Sequence, residues 1–339
     1  MSHRFVASLT ATAAVLVAMA ITPASAQTLA AAKGKAADKL AAAPAAALRT
    51  ADGRPDLSGV WSNATNIPLE RPQNLGAKEF YTKEETAALA RRTARPAAAD
   101  RAGTAADVHY DLSQFGLDRS HTVVAPSMRT SLITGPEGRI PAVLPEAQKR
   151  QAERAALNRG HQFDGPENRG LSERCIMWPN EGPPMLPAGY NSNLQIVQGQ
   201  GYVAVMQEMI HDVRVIPTDG HPNLPSNVRQ WFGDSRGRWE GDTLVVETTN
   251  FTARTAFRGS SENLKVTERF SRVDENNLKY EFTVEDPATW AKPWSAEIMM
   301  AKIDRPIYEY ACQEGNYGLR NILSGARVAE KDAAAKGAK

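Results

Sequence analysis

The second half of the chain carries the hydrophobic and polar pattern of β-strands. From Leu194 onward, segments rich in β-branched and aromatic residues alternate apolar with polar positions, as half-buried strands do. Turn signals such as Asp219-Gly220 and Glu240-Gly241-Asp242 separate these segments. No helical pattern interrupts the series, so the sequence predicts antiparallel hairpins in a barrel or sandwich. The predicted strands are LQIV, YVAVMQEMIHDVRVIP, RWEGDTLVVETTNF, LKVTERFSRV, NLKYEFTVED, SAEIMMAKI and IYEYA.

The stretch from 50 to 200 is rich in loops and contains two helix signals. Thr82-x-x-Glu85 is a capping box, and Pro145 opens a helical segment that ends at Gly160. Clusters of Pro, Gly and Asn at 165–170 and 180–193 predict long connections, which are often functional when ordered.

The segment 202–216 is read as one strand with unusual chemistry. Strict alternation puts His211 on a mostly apolar face, with Glu208, Asp212 and Arg214 on the other face. In an apolar cavity His211 would act as general acid or base, with Asp212 or Glu208 stabilising charge and Arg214 holding an oxyanion. The alternative is a core histidine bonded to a carbonyl, with a solvated Arg214–Asp212 ion pair. Alternation separates His211 from Asp212, so its partner would need a bulge or another strand, through Asp234 or Glu240.

A second hairpin, 233–243, offers further candidates. Asp234 is predicted to be catalytic and Arg236 to bind ligand at a barrel mouth; alternatively, Asp, Ser and Gly build the turn and Trp239 packs across strands. Aromatic residues in loops and at strand ends suit stacking on a ligand, although they more often cap a core. The predicted ligand-binding set is Tyr190, Trp231, Arg236, Trp239 and Glu240.

Several function classes lack their sequence signals. The histidines show no H-x-H or H-E-x-x-H spacing, and no C-x-x-C motif is present, so neither a metal site nor a cofactor is predicted. No nucleotide-binding loop, nucleophile elbow or repeat is found either. The net charge is +2, with 40 basic and 38 acidic residues and no basic run, which argues against nucleic acid or an anionic membrane as partner. A small molecule is the expected partner, and the oligomeric state is not predicted.

The termini indicate the compartment and the domain boundaries. Residues 1–26 read as a signal peptide: His3 and Arg4 precede an apolar run, and Ala24-Ser25-Ala26 forms the cleavage site. The Ala-rich segment 27–49 is predicted to be a disordered linker, and 328–339 a disordered tail. One β-domain then spans 50–327 with a loop and helix insertion at 62–193, in a periplasmic or secreted protein.

Two cysteines are present, Cys175 and Cys312. In an oxidising compartment this even, minimal count predicts one disulfide closing a long loop. The alternative is a cysteine nucleophile or metal ligand, which requires a free thiolate.

Two resemblances follow from longer stretches. Gly59-x-Trp61, with RWEGDTLVV and VTERFSRVDENNLKYEFTVED, resembles lipocalin-type (calycin-like) barrels, which implies that Trp61 plugs a closed end and that the interior holds a ligand. About 51–327 is similar to a group of secreted bacterial proteins of unassigned activity. That similarity rests on the strings ERCI (173–176), EMIHDVRVIP (208–217), RQWFGDSRGRWEGDTLVVETTNF (229–251), TVEDPATWAKPW (283–294) and YEYACQEGNYG (308–318).

The predicted fold is mainly β: an antiparallel lipocalin-like barrel or meander with a loop-rich, partly helical elaboration. Two functions remain open. One is a secreted hydrolase, lyase or isomerase that uses metal-free acid–base chemistry on a neutral glycoside, ether, lactone or terpenoid. The other is a carrier for an apolar ligand. Ionisable residues converging in one pocket would favour the enzyme, and a uniformly apolar cavity would favour the carrier.

Overall fold

The computed structural model describes residues 48–93, 124–188, 191–255 and 257–337. The predicted signal peptide, most of the linker and Tyr190 therefore lie outside the described residues. The secondary-structure elements are β1 (Gly59–Ser62), α1 (Lys83–Thr93), α2 (Pro145–Asn158), β2 (Asn193–Gly199), β3 (Tyr202–Gln207), β4 (Val213–Pro217), β5 (Asp234–Glu240), β6 (Thr243–Thr249), β7 (Lys265–Arg272), β8 (Asn277–Glu285), β9 (Trp294–Ile303) and α3 (Tyr317–Gly337).

The strands form one antiparallel sheet in the order β4-β3-β2-β1-β9-β8-β7-β6-β5. Two meanders, β2 to β4 and β5 to β9, are joined by β1, which pairs with both β2 and β9. Short strands joined by tight turns pair with their sequence neighbours, because local pairing costs the least loop entropy. The prediction of a mainly β, antiparallel meander with a loop-rich, partly helical elaboration is confirmed.

The two edge strands approach each other without backbone pairing. Gly237 of β5 lies against the end of β4, where an added methyl group would stand 3.0 Å from Ile216 Cγ2 and 2.9 Å from Thr218 Cγ2. No strand pairing joins β4 to β5 in the described part of the sheet. The sheet therefore curls until its edges touch, but hydrogen bonds do not close it.

Large side chains fill the concave face of the sheet. Along β7, β8 and β9 buried positions alternate with half-buried ones, as the sequence pattern predicts. The rings of Phe270, Tyr280, Phe282 and Trp294 follow one another at centroid distances of 5.0 to 5.8 Å. Trp61 is fully buried, donates from Nε1 to Leu57 O over 3.0 Å, and has the Arg272 guanidinium over its ring.

The long segment between β1 and β2 packs on the sheet. Ile133, Leu132 and Met185 join the hydrophobic core, and Ile133 pairs with Ala296 of β9. The capping box at α1 forms as predicted: Thr82 N donates to Glu85 Oε2 over 2.7 Å, and Glu85 N donates to Thr82 Oγ1 over 3.2 Å. Helix α2 begins at Pro145 as predicted.

The predicted disulfide is formed between Cys175 and Cys312, with a Cα–Cα distance of 5.8 Å. Two expectations for the C-terminal region differ from the structure. The segment IYEYA is not a strand, because it follows Pro306 and pairs with no described strand. Residues 328–337, expected as a disordered tail, form the last part of α3, where Ala, Glu and Lys have high helix propensity.

Candidate functional site

The prediction of one continuous strand over 202–216 is wrong. The chain turns back after Gln207, so that β3 and β4 pair antiparallel and Gln207 N donates to Asp212 O over 3.0 Å. Ile210 and His211 adopt left-handed backbone conformations with φ of 60° and 52°. Met209 and Ile210 are both buried. In a strand with one exposed face, two successive side chains point to opposite faces, so only one of them would be buried.

The turn places His211 on the surface. Its side chain is exposed, and its Nδ1 donates to Tyr310 O over 2.9 Å. The expectation that His211 sits in an apolar cavity is therefore wrong, because the chain reverses instead of continuing its alternation. The bond to a backbone carbonyl is the one that the alternative expected, but His211 is exposed and is not a core residue. A catalytic role for His211 stays a prediction.

The same turn directs Arg214 into the sheet. Arg214 lies opposite Val205 of β3, whose side chain is buried. Its guanidinium forms a two-pronged ion pair with Glu268 of β7, which includes NH2 to Oε1 at 2.9 Å. Glu268 Oε1 also accepts from Tyr280 Oη over 2.9 Å, and Tyr280 Oη accepts from Met185 N over 2.9 Å. The buried charges therefore satisfy each other, as buried ions must. The alternative of a solvated Arg214–Asp212 pair is wrong, since Arg214 pairs with Glu268.

A small cavity lies beside this ion pair. Its volume is about 10 Å³, room for one water molecule. Two residues of its lining each carry a buried side-chain atom without a hydrogen-bond partner among the described residues: Glu181 Oε1 and Gln207 Nε2. The cavity is lined by Glu181, Gly182, Val205, Gln207, Asp212, Arg214 and Phe232.

Glu181 is the most perturbed carboxyl group of this cluster. Burial raises its pKa to about 8; the Trp178 N–H bond to Oε2, at 2.9 Å, opposes that rise, and the Asp212 charge adds to it. At neutral pH the carboxyl is mostly protonated. Since Oε2 accepts from Trp178 N, the proton belongs on Oε1, which then is a buried donor without a partner among the described residues.

Among the other residues predicted to be catalytic, Asp212 lines the cavity and Glu208 does not. The Asp212 Oδ1 atom accepts from Val213 N over 2.9 Å. Glu208 is buried and its Oε2 accepts from Asn193 Nδ2 over 2.7 Å; burial raises its pKa. The structure thus brings Asp212 and Arg214 together at one cavity and leaves Glu208 and His211 outside its lining.

Asp234 and Arg236 hold a loop. Asp234 is buried, and its Oδ2 accepts from Leu224 N over 2.8 Å and from Asn223 Nδ2 over 3.0 Å. Arg236 NH1 donates to Asp234 Oδ1 over 2.6 Å, and its Nε donates to Pro222 O over 2.9 Å. These contacts attach residues 222–224 to β5, so Asp234 and Arg236 hold a neighbouring loop and do not form the β5–β6 turn.

The remaining predicted ligand-binding residues do not meet at one place. Trp239 packs against the core under the guanidinium of Arg54, 5.7 Å from its ring centroid. Glu240 is exposed and pairs with Arg238 and Arg269. Trp231 is half-buried next to Phe232 of the cavity wall. Ligand binding by these residues stays a prediction.

Sequence reasoning missed Glu181, Gln207, Glu268 and Tyr280. One signal was available: Glu268 lies between Val266 and Phe270 on the apolar face of its strand, where a carboxylate requires a partner. Glu181 gave no such signal, because it lies in a loop that lacks periodicity.

The described residues contain no group of three or more His, Cys, Asp or Glu side chains that could hold a metal ion. No helix within the same ranges is long and apolar enough to cross a bilayer.

The fold and site define an antiparallel β-sheet protein with a buried cluster of ionisable groups at one end of its edge strands. No protein-family model matches the chain, and no curated protein matches it. Among solved structures, it is similar to a mutant of the fluorescent protein UnaG, with 14% identity and a TM-score of 0.23, over 40% of this chain and 88% of that one. A TM-score this low does not define a shared fold, so the fold is described from the sheet alone.

Proposed function

We propose that this protein binds a small neutral molecule whose polar end enters the cavity at Glu181. The observation that carries the proposal is the pair of buried atoms without partners, Glu181 Oε1 and Gln207 Nε2. A buried polar atom left unpaired costs about 1–3 kcal/mol. A ligand group that pairs with both atoms recovers this free energy. The ligand therefore binds more tightly at this cavity than elsewhere on the surface.

The donors and acceptors at the cavity define the ligand group. Protonated Glu181 and the Gln207 amide both donate, and Asp212 offers an acceptor at the same wall. A hydroxyl group satisfies all three, and a carbonyl or ether oxygen satisfies the two donors. Val205 and Phe232 supply the apolar wall beside this group. An anionic group is disfavoured, because the Asp212 charge repels it.

The volume of the cavity limits how the ligand binds. Space for one water molecule admits a single polar group, so the body of the ligand lies outside the mouth. The concave face of the sheet is filled by Phe270, Tyr280 and Trp294, so an apolar ligand held deep inside a barrel is not supported. Recognition therefore takes place at the edge strands.

The proposed compartment is extracytoplasmic. The Cys175–Cys312 disulfide is the bond expected of an oxidising environment, and the predicted signal peptide at 1–26 agrees with it.

A second candidate function is acid–base catalysis on the same kind of molecule by a hydrolase, lyase or isomerase. The pKa of Glu181, raised by burial to about 8, favours it, since an acid with a pKa near the working pH transfers protons most effectively. Glu181 would then give a proton to, or take one from, the oxygen held at the cavity. Arg214, which its ion pair with Glu268 holds in place, would position the side of the cavity that it lines.

Two substitutions at one position separate binding from catalysis. Glu181→Gln keeps an N–H donor toward the cavity and an oxygen for Trp178 N, but it removes the acid. Glu181→Met removes the donor as well. The purified protein is incubated with a defined mixture of neutral glycosides, ethers, lactones and terpenoid alcohols, at catalytic and at equimolar amounts, and mass spectrometry follows each compound.

Binding predicts that a compound is retained in equimolar amount by wild type and Glu181→Gln and is lost with Glu181→Met. Catalysis predicts product in molar excess over wild type and none with Glu181→Gln. Glu275→Gln, an exposed carboxyl on the β7–β8 turn, is the control and should behave as wild type. Equal retention by all four proteins, or none by any, would overturn the proposal.

A further inference from the structure

A wide cleft outside the sheet collects arginine side chains from separate parts of the chain. It lies between α2, the segment 167–180 and the segment 253–259, with a volume of about 1090 Å³. That volume matches the size of sites that bind small organic molecules. We call it the arginine cleft, defined by Arg154, Arg169, Arg174, Arg254 and Arg258 with one carboxylate, Glu167.

Most of these guanidinium groups lack a carboxylate partner. Arg169 NH2 donates to Glu173 Oε1 over 2.8 Å. Within the described ranges, no ion pair within 4.0 Å involves any of the other four arginines of the cleft. Elsewhere on the surface, exposed arginines such as Arg238 and Arg269 pair with Glu240. Four arginines of the cleft therefore have no carboxylate partner among the described residues.

The cleft concentrates positive charge. Its lining has five arginines against Glu167, and Glu173 neutralises Arg169, whereas the whole chain carries a formal net charge of only +2. Like charges gathered in one concave surface repel each other and attract anions. An anionic ligand relieves this repulsion, and guanidinium groups suit carboxylate, phosphate and sulfate because they donate in pairs.

Contacts other than ion pairs also hold the walls of the cleft together. Gln151 Nε2 of α2 donates to Gly259 O over 3.2 Å. The guanidinium of Arg169 lies 5.0 Å from the centroid of the Phe163 ring, and Cys175 next to Arg174 is in the disulfide. Met177 and Phe257 add buried apolar surface to the lining. The carbon skeleton of an organic ligand can therefore contact apolar side chains in the cleft as well as the guanidinium groups.

From these contacts we infer that the arginine cleft is a second binding site, specific for a small organic polyanion with two or more carboxylate, phosphate or sulfate groups. This site is independent of the cavity at Glu181, which favours a neutral group. It does not depend on the proposed function. The basic residues come from three segments, so no basic run marks the site in the sequence.

Isothermal titration calorimetry on the full-length protein tests the inference with three probes: inositol hexakisphosphate, citrate and inorganic phosphate. We expect saturable binding of one equivalent of a polyanion, stronger than that of inorganic phosphate and weakened by added salt. Stronger binding of inositol hexakisphosphate indicates a phosphate or sulfate ester as the natural group, and stronger binding of citrate indicates a polycarboxylate.

Arg154→Gln/Arg258→Gln removes two exposed, unpaired cleft arginines and should weaken the polyanion about tenfold or more. Arg238→Gln/Arg269→Gln removes the same charge from the outer face of the sheet and should leave affinity within about twofold, because neither residue lines the cleft and salt screens exposed charges. Glu181→Gln, which keeps an oxygen for Trp178 N beside the cleft wall, should bind the polyanion normally even if the proposed function fails. Equal weakening by both arginine pairs, or no binding at low salt, would overturn the inference.

Discussion

The ionisation of Glu181 makes the stability of the fold depend on pH. Burial raises its pKa from 4.5 to about 8, so the folded protein holds a proton that the unfolded chain releases between these values. Stability is therefore full below about pH 4.5, decreases as the pH rises, and has lost this contribution above pH 8. Each unit of pKa difference corresponds to about 1.4 kcal/mol, so the loss is roughly 3–5 kcal/mol.

Glu181→Gln removes this dependence. We expect the variant to unfold with a free energy close to that of wild type at pH 5, and to be more stable by roughly 3–5 kcal/mol at pH 9, where wild type must bury a charge. Urea unfolding at the two pH values measures both differences. Glu275→Gln should change neither value by more than about 0.5 kcal/mol. A Glu181→Gln variant with the same pH dependence as wild type would show that Glu181 ionises freely in the fold.

Arg214 shows why a residue can be identified from sequence while its role is not. Its position among Glu208, His211 and Asp212 marked a site, but its partner Glu268 lies on a strand that follows about fifty residues later. Which charges meet depends on the reversal after Gln207, and that reversal needs left-handed backbone at Ile210 and His211. β-Branched residues rarely adopt this conformation, so local propensity did not indicate it.

At the scale of elements, the strands β5 to β9 could be predicted because their alternation is regular and their turns contain Gly, Asp or Asn. The hairpin at Gly241 forms with a φ of 58°, as a tight turn requires. The hairpin β3–β4 was missed because the connecting residues Met209 and Ile210 are apolar and buried. Tertiary packing stabilises that turn, and the pattern of apolar and polar residues contains no signal for it.

The meeting of β4 and β5 depends on one residue without a side chain. We expect Gly237→Ala to destabilise the protein by about 1–3 kcal/mol, because its methyl group would crowd Ile216 Cγ2 at 3.0 Å and Thr218 Cγ2 at 2.9 Å. Urea unfolding measures the change. Gly325→Ala in α3 is the matched control: no atom lies within 4 Å, so higher helix propensity should stabilise by up to about 1 kcal/mol. Unchanged stability of Gly237→Ala would mean that the edges do not touch.

At the scale of the whole molecule, the two proposed sites depend on contacts between distant segments. Glu181 reaches the edge strands from the long segment after β1, and the arginine cleft combines α2 with two loops. Sequence patterns describe neighbours within one element, so they indicated the sheet and not these assemblies. The small net charge of the whole chain is compatible with a local cluster of positive charge, because a net charge averages over the surface.

The disulfide is the strongest single constraint between such segments. Cys175 and Cys312 are 137 residues apart, so the bond restricts the unfolded chain by about 5 kcal/mol in the loop-entropy treatment. It also attaches α3, which has no buried residue and is otherwise held by contacts such as Arg327 NH2 to Phe163 O at 2.8 Å. Two effects of breaking it are therefore separable: a lower global stability and the release of α3.

We expect Cys175→Ser/Cys312→Ser to lower the free energy of unfolding by several kcal/mol and to lose hydrogen-exchange protection in α3 first, because the sheet core does not depend on that helix. Urea unfolding and hydrogen exchange by mass spectrometry measure the two effects. Dithiothreitol should shift wild type toward the variant and leave the variant unchanged. Protection lost equally from α3 and from β6 to β9 would mean that the helix and the sheet open together, and that the bond secures the whole fold instead of one attached helix.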